Sequence, residues 1–132
     1  MKYNLDCARE ILFLLERDLT ISPDLEFETL SCIDIADRLN SYEITEIVNT
    51  LFLLKEAGFI EAGNSFGDNH VTNFLVSRIT YEGYQFIENI RPETVWNKVK
   101  SITAKVGTFS INAITQIAVS TITTLINAQL GL

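Results

Sequence analysis

Few side chains in this sequence are spaced for chemistry. Glu26 and Glu28 lie two residues apart, the pairing that general acid and base work would need. At that spacing on a strand both acids share one face, and a charged strand face is normally solvated. Cys7 and Cys32 are too far apart for a metal-ligand pair, and the only histidine, His70, stands in a loop-like stretch beside neither. Cys7 falls on a helical edge with Ile11 and Leu14, the place of a small buried hydrophobe in a reducing compartment. No nucleophile, base and orienting group come together, so no enzymatic activity, catalytic residue, metal or cofactor is expected.

Residues with the chemistry of recognition are better organised. From Tyr42 to Ala62 the apolar positions Ile44, Ile47, Val48, Leu51, Leu54 and Ala57 recur at three and four residues, which predicts a helix with one buried face. Ser41 is the expected N-cap, Gly58 the left-handed stop, and Phe59 and Ile60 start a strand at once. A helix that stops on glycine and feeds a hairpin is the centre of a winged helix-turn-helix. Its outward residues are Glu43, Thr45, Glu46, Asn49, Thr50, Leu53 and Glu56. Asn49 could read an adenine edge, with Thr45 and Thr50 beside it. Glu43 and Glu46 would meet phosphates, however. The expected wing, a loop from Gly63 to His70 with Ser65, Phe66, Asp68, Asn69 and His70, offers no Lys or Arg. Affinity for duplex DNA depends on neutralising phosphate, so this face has the wrong sign. The same loop lacks the Lys-Ser/Thr of a P-loop and opens no helix.

These residues must be held by neighbouring elements. Asn4 to Leu19 predicts a first helix, with Leu5, Ala8, Ile11, Leu12, Leu15 and Leu19 on one face, ended by Ile21-Ser22-Pro23-Asp24. Leu25 to Leu30 alternates as a short strand. Ser31 caps a second helix to Leu39, buried through Ile33 or Ile35, Ala36 and Leu39. Val71 to Ile79 is the returning strand. Thr80 caps a helix over Tyr81 to Ile90 that buries Phe86, Ile87 and Ile90. Pro92 then opens another to Val106, striped at Val95, Val99, Ile102 and Val106 with Trp96 alongside. Arg91, Lys98 and Lys105, spaced by seven, line one flank as a solvated or salt-bridging basic edge.

Between Val106 and Leu132 there is no charged residue. Phe109 to Leu130 predicts a helix after a break at Gly107 and Thr108. Ile111, Ile114, Ala118, Ile122 and Leu125 form its stripe, broadened by Ile117, Val119 and Ile126. Such a helix suits self-association, since no charge need be desolvated. Packing on its own domain is the alternative. Its length would also span a bilayer, but Asn112, Gln116, Asn127, Gln129 and the hydroxyls are many polar groups for a single span.

The totals agree with one compact chain. Its 132 residues are 47% hydrophobic with a net charge of −7. Residues 1–90 hold 6 Lys or Arg against 16 Asp or Glu, and residues 91–132 hold 4 against 1. Such asymmetry suggests that the two parts meet different surroundings, or each other. The N-terminus runs into an amphipathic helix without a signal core, and a cytoplasmic location is expected.

Leu53-Leu54-Lys55-Glu56-Ala57-Gly58-Phe59-Ile60, taken with Ile79-Thr80-Tyr81-Glu82-Gly83 through Arg91 and Val95-Trp96-Asn97-Lys98, resembles a family of short uncharacterised proteins of Gram-positive bacteria and their prophages, a domain of unknown function. The resemblance covers roughly residues 1–106, and Thr80-x-x-Gly83 with the Arg91 to Trp96 segment is its most specific part. It implies a winged-helix fold and supplies no site.

The expectation is a mainly α chain with a small antiparallel β-hairpin sheet: a winged helix at residues 1–79, a helical extension at 80–106 and an uncharged amphipathic helix at 107–132. The leading function is a non-enzymatic interaction or regulatory module that forms a homo-oligomer through the last helix and contacts another protein through its acidic face. The alternatives are a phage or prophage DNA-binding transcriptional regulator, with Arg91, Lys98 and Lys105 on phosphates, and a membrane-associated effector that inserts its tail.

Overall fold

The computed structural model describes residues 2–107 and 110–132. It is mainly helical with small antiparallel sheets. Two compact units divide it, Met1–Tyr84 and Gln85–Leu132.

In the first unit, α1 (Leu5–Asp18) starts where the Asn4 side chain accepts from the Cys7 amide and ends at Leu19. Its buried face holds Leu5, Cys7, Ala8, Ile11, Leu12, Leu14 and Leu15. At its C-terminal end Asp18 meets Arg17 at 2.7 Å and Arg38 of the next helix at 3.0 Å, and these guanidinium groups, Arg17 first, hold the Asp18 carboxyl down to about 2.

The expected strand over Leu25 to Leu30 is instead divided. Leu25 has a φ of 67°, a left-handed conformation that breaks an extended run, and closes a turn with its amide on the Ser22 carbonyl. What remains is β1 (Thr20–Ile21) paired with β2 (Phe27–Glu28), followed by β3 (Leu30–Ser31), which joins a different sheet.

Ser31 caps α2 (Cys32–Arg38) in a reciprocal box. Its hydroxyl accepts from the Asp34 amide, and the Asp34 carboxylate accepts from the Ser31 amide. Ile35 is the buried residue of this helix, and Ile33 is exposed. Next, α3 (Ile44–Glu56) begins after Glu43, two residues beyond the expected Ser41 cap, without a side-chain cap bond. Gly58 takes a φ of 80° and stops it, as expected.

The stretch expected to be a loop, Gly63 to His70, is mostly ladder. β4 (Ile60–Gly67) and β5 (His70–Ile79) pair antiparallel from Ile60–Ile79 to Gly67–His70, and only Asp68 and Asn69 turn. Both have positive φ, 50° and 64°, the primed turn geometry that matches strand twist and that Asp and Asn tolerate. β5 is the central strand, with β3 and β4 on either side.

Two stretches of the family likeness, 53–60 and 79–83, meet in this unit. The Thr80 hydroxyl donates to the Gly58 carbonyl and accepts from the Gly83 amide at 3.1 Å, while the Thr80 amide donates to the Phe59 carbonyl at 3.0 Å. The motif Thr80-x-x-Gly83 is thus a latch that fastens the start of α4 (Tyr81–Ile90) to the end of α3.

In the second unit, α5 (Glu93–Val106) and α6 (Ile111–Leu130) pack on one another. Val95, Trp96, Val99 and Thr103 are the buried residues of α5. Val106, expected to complete the stripe, is exposed, and Thr103 holds that position with its hydroxyl donating to the Val99 carbonyl at 2.8 Å. Gly107 closes the helix with a φ of 81°. Phe109, the expected first residue of the last helix, and Thr108 lie outside the described residues. Ser110 caps α6 by accepting from the Ala113 amide.

A candidate apolar groove between helix and hairpin

α3 presents two apolar faces, and the structure divides them. Ile47, Thr50, Leu51 and Leu54 face inward. Ile44 and Val48, expected to be buried with them, line an open groove instead, and Ala57, expected on the same buried face, is exposed at the helix end. The division follows from what α1 fixes. The Asn4 amide side chain donates to Glu46, and the Thr50 hydroxyl donates to the Glu46 carbonyl at 2.8 Å while lying 3.6 Å from the Cys7 sulfur. Glu46 and Thr50 therefore belong to the α1 contact, and Thr50 is fully buried, which removes both from the outward surface expected of them.

The groove has a volume of about 610 Å³. Its apolar lining is Ile33 from α2, Ile44, Val48 and Phe52 from α3, and Val71 from β5; Cys32, Thr45, Asn49, His70 and Thr72 supply the polar part. Ile33 is 59% exposed and Ile44 46%. None of these residues is Asp, Glu, Lys or Arg. Thr45 and Asn49 do reach this surface as expected, and Glu43 is exposed at the N-terminal end of α3.

One wall is braced by three rings. Phe52 stacks on Phe66 of β4 with centroids 6.0 Å apart and planes 9° from parallel, and meets Phe74 of β5 edge-on at 4.9 Å. Of the expected wing residues, Ser65 and Phe66 lie on β4, Asp68 and Asn69 form the turn, and His70 opens β5 against the groove. Nearby cations are engaged elsewhere: the Lys55 ammonium donates to Asn64 at 2.6 Å, and Arg78 pairs with Glu61 at 2.9 Å.

The two thiols differ sharply. Cys7 is fully buried, and burial pushes its thiol up to about 11. Cys32 is half-exposed at the groove. A thiol reagent at neutral pH is expected to label Cys32 at least tenfold faster than Cys7, read by mass spectrometry of the native chain. Equal rates would place Cys7 outside the core.

The expected basic edge is not one line. Arg91 precedes α5 and pairs with Glu88 at 2.7 Å, whereas Lys98 lines a second groove, of about 510 Å³, between α5 and α6, and Lys105 is exposed. On α6, Ile114 and Ala118 are fully buried within the chain, so neither is open to another copy; Ile111 and Ile122 are half-buried and Leu125 is 46% exposed. A separate line, Val119, Ile122, Ile126 and Leu130, spaced by three, four and four, runs along the outer side, and all but Ile122 are exposed. The expected single stripe mixes these two faces.

Fold and groove define a small, mainly helical protein whose helix and hairpin frame an uncharged cleft. The chain belongs to the family described as "Hypothetical protein (DUF2513)", which matches residues 2–110. It is similar to an uncharacterized protein of Haemophilus influenzae, 31% identical over 120 residues that cover 89% of this chain and 92% of the relative. Among solved structures, a cysteine-to-serine mutant of Lactococcus lactis ZitR is similar over 98% of this chain and 80% of its own, at 14% identity and a TM-score of 0.46, too distant a likeness to bear on the groove.

Proposed function

We propose that the chain is a non-enzymatic winged-helix module of the cytoplasm that acts by protein contact and self-associates through α6. The order α1, β3, α2, α3, β4, β5 supports the winged-helix reading, with α3 as the recognition helix and the β4–β5 hairpin as the wing. The single observation that carries the function is the sign of the surface between them. A DNA reader needs Lys or Arg on that surface to neutralise phosphate. Here it is an apolar groove with Glu43 exposed at the start of α3 and Asp68 in the hairpin turn. Protein contact is what an open apolar surface serves.

The outer line of α6 supports self-association, because an uncharged apolar line buries against another helix without desolvating charge. Cutting the chain at Val106 would uncover α5, so the test keeps the full chain. Sedimentation of the protein is expected to show a species heavier than one chain, and Ile126→Glu with Leu130→Glu to weaken that association at least tenfold. A monomer at every concentration contradicts the reading.

One observation favours a second reading, a lipid surface: α6 is a 20-residue helix that holds an 18-residue window of mean hydropathy 1.2, long and apolar enough to cross a membrane. The hydroxyls of Thr121, Thr123 and Thr124 donate to carbonyls four residues back, which lowers their cost in an apolar medium. Flotation of the full chain with vesicles would promote this reading.

A further inference from the structure

We infer that the groove of one copy receives the outer line of α6 from a second copy, so that association runs head to tail. This rests on the self-association reading and names its missing half. The groove and the line are two different surfaces, both exposed on the same chain: Ile33 and Ile44 at the groove, Val119, Ile126 and Leu130 on the helix. Val119, Ile122, Ile126 and Leu130 fall at i, i+3, i+7 and i+11, the anchors with which an amphipathic helix fills an apolar groove.

Charge decides between this contact and a symmetric one. The unit Met1–Tyr84, which bears the groove, holds 6 Lys or Arg against 15 Asp or Glu, a net of −9. The unit Gln85–Leu132, which bears α6, holds 4 against 2, a net of +2. A tail-to-tail dimer brings two positive units together and leaves each groove open to water. A tail in a groove brings opposite signs together and covers both apolar surfaces at once. The inserted surface itself has no charge to desolvate, since Val106 to Leu132 carries none. Because the two surfaces differ, a single contact leaves one groove and one tail on each pair, which either close on each other in a reciprocal dimer or engage further copies in a ring or an open chain.

The test uses two full-length variants with charges at exposed positions. One carries Ile33→Glu and Ile44→Glu in the groove, the other Ile126→Glu and Leu130→Glu on the tail. Each alone is expected to self-associate at least tenfold more weakly than the wild type. Mixed in equal amounts, the two are expected to form a heterodimer and nothing larger, because one intact groove and one intact tail remain. A groove variant that associates like the wild type overturns the inference while the self-association reading stands. A monomeric wild type overturns both.

Cys32 gives a readout that needs no groove variant. Its labelling in the wild-type chain is expected to slow several-fold between dilute and associated protein. A rate independent of concentration across that range also overturns the inference.

Discussion

Phe74→Ala is expected to cost about 3–5 kcal/mol of unfolding free energy, read by urea denaturation, the range for emptying a fully buried aromatic site. Phe74 lies on β5, the central strand, opposite Asn64 of β4, and its ring is fully buried, so the paired backbone holds the void open. The loss should spread to the groove. Phe52 rests edge-on against Phe74 and in turn stacks on Phe66, so the variant leaves the braced wall without its inner support. Phe66→Ala is the control. Phe66 is 65% exposed, and its removal should cost less than about 1 kcal/mol. A Phe74 cost near that of Phe66 would mean that the ring is not in the core.

The second large effect concerns the latch. Gly83→Ala is expected to lower stability by about 2 kcal/mol, because an added Cβ would overlap the Phe59 carbonyl and stand 2.7 Å from the Ile79 Cγ2. The carbonyl cannot swing away freely, since it accepts from the Thr80 amide. The cost of overpacking, about 3 kcal/mol at its upper end, is offset by about 1 kcal/mol of helix propensity gained over glycine. Thermal unfolding of the variant checks it. A neutral or stabilising result would show that α4 sits farther from Phe59. The latch also gives a physical reason for the pattern Thr80-x-x-Gly83: one residue supplies a hydroxyl that bonds in two directions, and the other supplies the absence of a side chain.

Helices are legible in the sequence where periodicity and caps agree. Ser31 announces α2, Gly58 ends α3, and Pro92 and Gly107 bound α5. The groove is not legible, for a reason visible in α3. Its apolar residues occur on two sides, and spacing alone counts Ile44 and Val48 with Ile47 and Leu51. Which side is covered depends on Asn4 and Cys7, some forty residues away in the chain, and such contacts leave no local period. At the hairpin, composition misleads. Gly63, Asn64, Ser65 and Gly67 look like a loop, but pairing with β5 supplies the ladder that propensity does not. On α6 the apolar residues are so many that one stripe and two adjacent lines have nearly the same spacing. Burial of Ile114 and Ala118 separates them.

The sign of the groove is tested most directly by titrating the full-length protein with random-sequence duplex DNA at low salt, where phosphate contacts are strongest. An uncharged cleft on a unit of net −9 gives no complex at micromolar protein. Micromolar binding that weakens steeply as salt is added would contradict it.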